Sequence, residues 1–207
     1  MHLSDRFTSG IVPIMAVSVL ALYIGLVLYM AIEAWPALIH MSWTDIVTGT
    51  VWKPMAQSPV LGLAYIISAS LYVSLLSLIW ALPLGIGTSV GLSLGVSPWH
   101  TMKAIILPSA KGSIILSSVL AFSRAMGETM AVMMVVGNAP ILPNLLGKAE
   151  PIPSLIALEM GSVEYNSLHY SGLYVAALVL LIILILTNVL VYMYSWKTRK
   201  DGHHEVI

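Results

Sequence analysis

Long apolar runs separated by polar turns set the pattern of this chain. After a polar head, Met1 to Ser9, an apolar run extends from Gly10 to Ala34 and closes on Glu33, Trp35 and Pro36. In a helix rising about 1.5 Å per residue such a run crosses a bilayer, and its acidic and aromatic end suits the interface. It is too long for a cleavable leader and no small-x-small cleavage site follows, so a retained first span is expected. Residues 35–59, with Trp43, Trp52, Asp45, Lys53 and prolines, read as an amphipathic loop on the membrane surface, the tryptophans serving as interface anchors.

No charged residue stands between Pro54 and Met102, a stretch too long for one span and just long enough for two. Charge placement decides. With a single span over 60–90, its end loosened by Pro83, Gly85 and Gly87, six of the nine Lys and Arg residues fall on one side: Arg6, Lys103, Lys111, Lys197, Arg199 and Lys200. Lys53 and Lys148 then lie opposite and Arg124 lies in the membrane, whereas a hairpin would split the basic loops against the bias of cytoplasmic loops toward Lys and Arg. Gly87, Gly91 and Gly95, four apart, offer a small-residue face for helix packing. A third span follows over 112–137, then an external loop rich in Pro and polar residues that holds Glu150, Glu159, Glu164 and His169, and a last aliphatic span that ends in the basic tail at Lys197. The expected fold is all-α: one polytopic transmembrane helical bundle with spans over 10–34, 60–90, 112–137 and 172–196. Both termini and the loop 91–111 are cytoplasmic, and the loops 35–59 and 138–171 are external.

Composition agrees and narrows the chemistry. Of the 207 residues 58% are hydrophobic and 9% charged, with a mean hydropathy of +0.93, where soluble domains carry about a quarter charged residues. The runs lack the period-two alternation of outer-membrane strands. A net charge of zero and the lack of a large basic block remove nucleic acid as a partner. Without cysteine there are neither disulfides nor thiolate metal sites. Leu142 stands where the first glycine of a phosphate-cradling loop ending at Gly147 and Lys148 would be, so ATP hydrolysis is expected in a partner and not here. His203 and His204 have one nearby acid, and the histidines are scattered through loops and ends, so neither a metal site nor an enzyme is expected.

Between Lys111 and Asn138 the charged residues are Arg124 and Glu128, whose spacing of four puts them one turn apart on one helical face. A charge in a membrane span is costly unless it is paired or lines a wet cavity. The planar guanidinium fork suits an oxyanion, and Glu128 can hold that fork when no anion is present. The competing role is a structural ion pair that fixes helix packing. Ser123 and Thr129 are the nearest further hydrogen-bond donors.

The stretch Gly95, nine residues, then Ile105, Ile106, Leu107 and Pro108 resembles the second half of the loop signature of ABC importer permeases. A short helix begun near Ser97 and Pro98 would lie across the bundle until Pro108 ended it. The run Ser123, Arg124, Ala125, Met126, Gly127, Glu128, Thr129, Met130, Ala131, with Gly137 and Asn138 beyond, is similar to the R-A-x-G-E-T-M-A run of phosphate-specific permeases, PstC and PstA, PstC fitting slightly better. Glu33 to Pro36 and Ala81 to Gly87 add weaker likeness. Two departures stand out. Ser89, Val90 and Gly91 occupy the place of the signature's opening E-A-A, so its acidic anchor is absent, and two central spans of the usual six are missing.

The resemblance implies a type I ABC importer permease in a prokaryotic inner membrane, multi-pass and without a cofactor of its own, ATP and Mg belonging to a cytoplasmic ATP-binding subunit. It also implies a second permease subunit and an extracytoplasmic phosphate-binding protein as partners, beside membrane lipid. The coupling helix would be carried by Gly95, Ser97, Pro98, His100, Leu107 and Pro108, and the substrate pathway by Arg124, Glu128, Ser123 and Thr129. Alternatives are a membrane scaffold or phosphate-sensing subunit that does not transport, or a permease for sulfate or molybdate.

Overall fold

The computed structural model describes residues 3–89, 107–144 and 147–201. Long helices α1 (Leu3–His40), α3 (Ala64–Ser89), α4 (Leu107–Met126) and α7 (Leu168–Asp201) form the bundle. Short elements join them at one end: α2 (Trp43–Thr48), the strands β1 (Trp52–Lys53) and β2 (Val60–Leu61), α5 (Met130–Val135) and α6 (Ile152–Glu159). Among the described residues, three helices are long and apolar enough to cross a membrane: Val12–His40, Ala64–Gly85 and Leu168–Tyr194. The chain is therefore an all-α polytopic membrane protein.

Helix α4 lies between α3 and α7, while α1 packs along α7. Tyr29 meets Tyr174 edge-on at 5.8 Å across the α1–α7 seam, and Ser123 Oγ donates to Thr187 Oγ1 at 3.0 Å across the α4–α7 seam. The helix α3 runs through Pro83 to Ser89, so proline does not loosen its end as expected. One missing N–H in an apolar helix is tolerated where neighbours settle the freed carbonyl.

Two other expectations change. The third span, expected over 112–137 without a break, is interrupted: α4 ends at Met126, Gly127 to Thr129 are not helical, and α5 resumes for six residues. Both connecting regions, read as surface loops, instead build a packed cap. Its core joins Ala34 and Ala37 of α1, Ile46, Trp52, Leu61, Leu63, Ile66, Ile152, Leu155, and Leu173 and Val175 of α7. Trp52, expected as an interface anchor, is buried there, whereas Trp35 and Trp43 stay exposed.

The cap is stitched by backbone. Antiparallel pairing sets Trp52 opposite Leu61 and Lys53 opposite Val60. The Leu63 N–H donates to the Ile46 carbonyl and the Ala64 N–H to that of Gly49, both at 2.8 Å. Glycine is required at Gly62, where a Cβ would sit 2.5 Å from the Gly49 carbonyl carbon. Helix α6 starts after Pro151, which has no side-chain cap to give. Its first N–H, on Ile152, is satisfied by Ser70 Oγ of α3 at 2.8 Å.

Candidate functional site

Arg124 sits in the last turn of α4, where its charge complements the negative end of the helix dipole. Beyond it the helix tightens before it stops: the Gly127 N–H donates to the Arg124 carbonyl at 3.1 Å and the Glu128 N–H to that of Ala125 at 3.3 Å. Gly127 favours the stop because its backbone is permissive, and the N-cap position of α5 falls to Thr129. Glu128 is thus displaced from the helical face that its spacing implied.

Both charges line one cavity of about 420 Å³ between α3, the end of α4 and the start of α5. Val73, Ser77, Leu78 and Ala81 form the α3 wall; Ala121 and Ala125 flank Arg124; Ala131 and Val132 of α5 close the side next to Glu128. The side chains of Arg124 and Glu128 are exposed, and among the described residues they form no ion pair with each other; the close acid–base contact is His169–Glu159. The planar guanidinium fork therefore faces open space in a wall that is otherwise mostly apolar, a setting that suits bidentate contact with two oxygens of an oxyanion.

The other two expected donors are engaged elsewhere. Ser123 is buried toward α7 and bonded to Val119 and Thr187. The Thr129 hydroxyl donates back to the Gly127 carbonyl at 3.3 Å. Of the expected coupling residues, Gly95, Ser97, Pro98 and His100 lie outside the described residues, as do Gly91 and Gly95 of the small-residue face. Leu107 and Pro108 open α4; proline is accommodated in a first turn, where its absent N–H would have had no partner.

A second polar constellation, which spacing did not reveal, lies in the cap. Glu159 Oε2 accepts from the Trp52 indole N–H at 3.0 Å and sits 2.6 Å from His169 Nε2, leaving Nδ1 of that ring buried without a partner. Trp52 and Glu159 are 107 positions apart, so no local pattern announces the contact. Next to the cavity, Gly137 takes φ +79° and Asn138 φ 42°. Asn138 turns its side chain into a brace, donating from Nδ2 to the Met133 carbonyl at 2.8 Å and accepting from the Ser154 hydroxyl. No group of ligands suited to a metal ion occurs among the described residues.

Comparison with known proteins supports the resemblance read from residues 95–138. The chain is 34% identical over 108 residues to "Probable ABC transporter permease protein YqgH" of Bacillus subtilis, covering 52% of this chain and 35% of that protein. It is 34% identical over 113 residues to "Probable phosphate transport system permease protein PstC" of Methanocaldococcus jannaschii, covering 54% of this chain and 36% of the relative. With the "Phosphate transport system permease protein PstC" of Pasteurella multocida it shares 38% identity over 91 residues, or 44% of this chain and 28% of the relative. The matches thus reach about a third of the length of these relatives. No family model matches the chain, and no solved structure matches it.

Proposed function

We propose that this chain is a permease subunit of an ATP-driven importer of inorganic phosphate in a prokaryotic inner membrane. The observation that carries the reading is the exposed guanidinium of Arg124 in a cavity between helices, free of an ion pair with Glu128, in the last turn before the helix breaks at Gly127. Likeness to permeases named for phosphate transport supplies the substrate class. In this reading Arg124 receives the anion through its fork, and Glu128 across the cavity mouth repels it again, so that the anion is held without being trapped. Ser123 positions α4 on α7, and Thr129 shapes the break. A separate ATP-binding subunit docks on residues 91–111, including Gly95, Ser97, Pro98, His100, Leu107 and Pro108. A second permease subunit lines the rest of the path, and an extracytoplasmic binding protein delivers phosphate to the cap end.

One observation favours a second reading, a membrane scaffold or phosphate-sensing subunit: the chain matches only about a third of each relative. Uptake of labelled phosphate into vesicles that hold the chain with its ATPase and second permease separates the two. Saturable, ATP-dependent uptake that is lost in Arg124→Ala supports the permease; retention of the ATPase on the vesicles with no uptake supports the scaffold. Competition by sulfate or molybdate at equal concentration would reassign the anion.

A further inference from the structure

Another cavity, remote from Arg124, opens between α4 and α7 and encloses about 450 Å³. Ile115 and Val119 stand on its α4 side, and Leu190, Met193 and Tyr194 on its α7 side; every lining side chain except Tyr194 is apolar. Leu190 and Met193 are exposed, so the groove opens on the outer face of the bundle. The two helices run antiparallel here, since Ser123 bonds Thr187 while Ile115 and Tyr194 share the groove. The groove therefore lies toward the end opposite the cap, where the apolar span of α7 stops at Tyr194.

Basic residues frame that end on both helices. Lys111 is exposed and forms no ion pair among the described residues. It precedes Ile115 by four positions, one turn along the same face of α4. In α7 a lysine at 197 follows Met193 by four, with Arg199 and Lys200 just beyond. Against these four bases the same ends of α4 and α7 carry one acid, Asp201. Lysine stems can run along apolar surface while the ammonium stays at the headgroup level. An apolar trough that ends in lysines where the span leaves the hydrocarbon fits a long apolar chain with an anionic head. A transmembrane helix of another protein, or an uncharged lipid, would fill the trough but leave its basic rim unanswered. We propose that this groove is a binding site for an anionic phospholipid: one acyl chain lies along Ile115, Val119, Leu190 and Met193, and Lys111 and Lys197 hold the headgroup phosphate.

Native mass spectrometry of the full chain, equilibrated in detergent with phosphatidylglycerol and phosphatidylcholine of the same acyl chains, reads the site without any assay of transport. Wild type should retain phosphatidylglycerol at least about tenfold better than phosphatidylcholine. Lys111→Gln combined with Lys197→Gln should remove most of that preference, whereas Lys53→Gln combined with Lys148→Gln, at the cap end, should leave it intact. Leu190→Trp, which fills the trough, should lower retention of both lipids. Equal retention of the two lipids by wild type would overturn the site. So would the same loss in both double variants, since the preference would then follow total charge. Glycerol phosphate has the head without the chain and should not displace the lipid at equal concentration; displacement would reduce the site to one for a free anion. Unchanged retention in Leu190→Trp would place the lipid elsewhere, and the lysine variants decide the matter if that variant fails to fold.

Discussion

Arg124 and Glu128 illustrate what spacing conveys and what it omits. Their separation of four in an apolar run marked a place where charge needs a partner or a wet cavity, and both residues line one cavity. The ion pair that the same spacing implied requires an unbroken helix, and Gly127 sits inside the interval. Since no pair is formed, Glu128→Ala should shift stability by less than about 0.5 kcal/mol, the range of substitutions that touch no partner; thermal unfolding in detergent checks this. Arg124→Lys should keep insertion and assembly but reduce phosphate uptake at least about tenfold, because a point charge does not reproduce a bidentate fork. Wild-type uptake by that variant would remove the anion role. Glu150 makes a different, pH-dependent prediction. Burial first, and then the nearby Glu159 carboxylate, raise its folded pKa from the ordinary 4.5 to about 7, so the native state binds the extra proton between these values. The stability it contributes is complete below about pH 4.5 and is lost as pH rises through about 7. Unfolding temperatures of wild type should fall across that window, whereas those of Glu150→Gln should change less and lie above wild type at pH 8.

At the scale of elements, the long helices were legible because twenty or more apolar residues leave the backbone no other way to satisfy itself in lipid. The cap elements were not. Two-residue strands carry no periodicity, and α6 takes its N-terminal partner from Ser70, 82 positions away. Trp52 was read by its residue type, which suits an interface, but its indole found a carboxylate inside the fold. Such contacts are set by tertiary packing, which a local pattern does not encode. The Ser70 contact predicts that Ser70→Ala leaves the Ile152 N–H buried without an acceptor and costs about 1–3 kcal/mol, measurable by chemical unfolding. Ser77→Ala, on the same helix but bonded only to its own turn, should cost clearly less. Gly62→Ala should be worse than either, since its Cβ meets backbone and not a flexible side chain.

For the whole molecule, the orientation inferred from basic residues is an expectation that labelling can test. The C-terminal end of α1 and the N-terminal ends of α3 and α7 meet at the cap. Single cysteines introduced at Ser42 and Lys148, in a chain that has none, should therefore react with an impermeant thiol reagent from outside, and cysteines at Thr101 and Thr198 should not. Labelling at Thr101 from outside would restore the hairpin alternative. Burial is distributed unevenly: the cap holds the packed core, while the apolar windows of the three spans are 0%, 22% and 17% buried. Lipid is as apolar as leucine, so a span gains little by hiding side chains, whereas the cap must exclude water. The resulting asymmetry governs which sequence changes the protein can accumulate. Exchanges among Leu, Ile, Val and Met along the exposed face of α1 leave its environment unchanged, so this surface is free to drift. Positions such as Gly62, Leu63 and Leu155 admit almost no replacement. A saturation library selected only for folding should accordingly tolerate wide apolar variation along α1 and return nearly the parent residues in the cap, with hydrophobicity preserved in the membrane and identity preserved outside it.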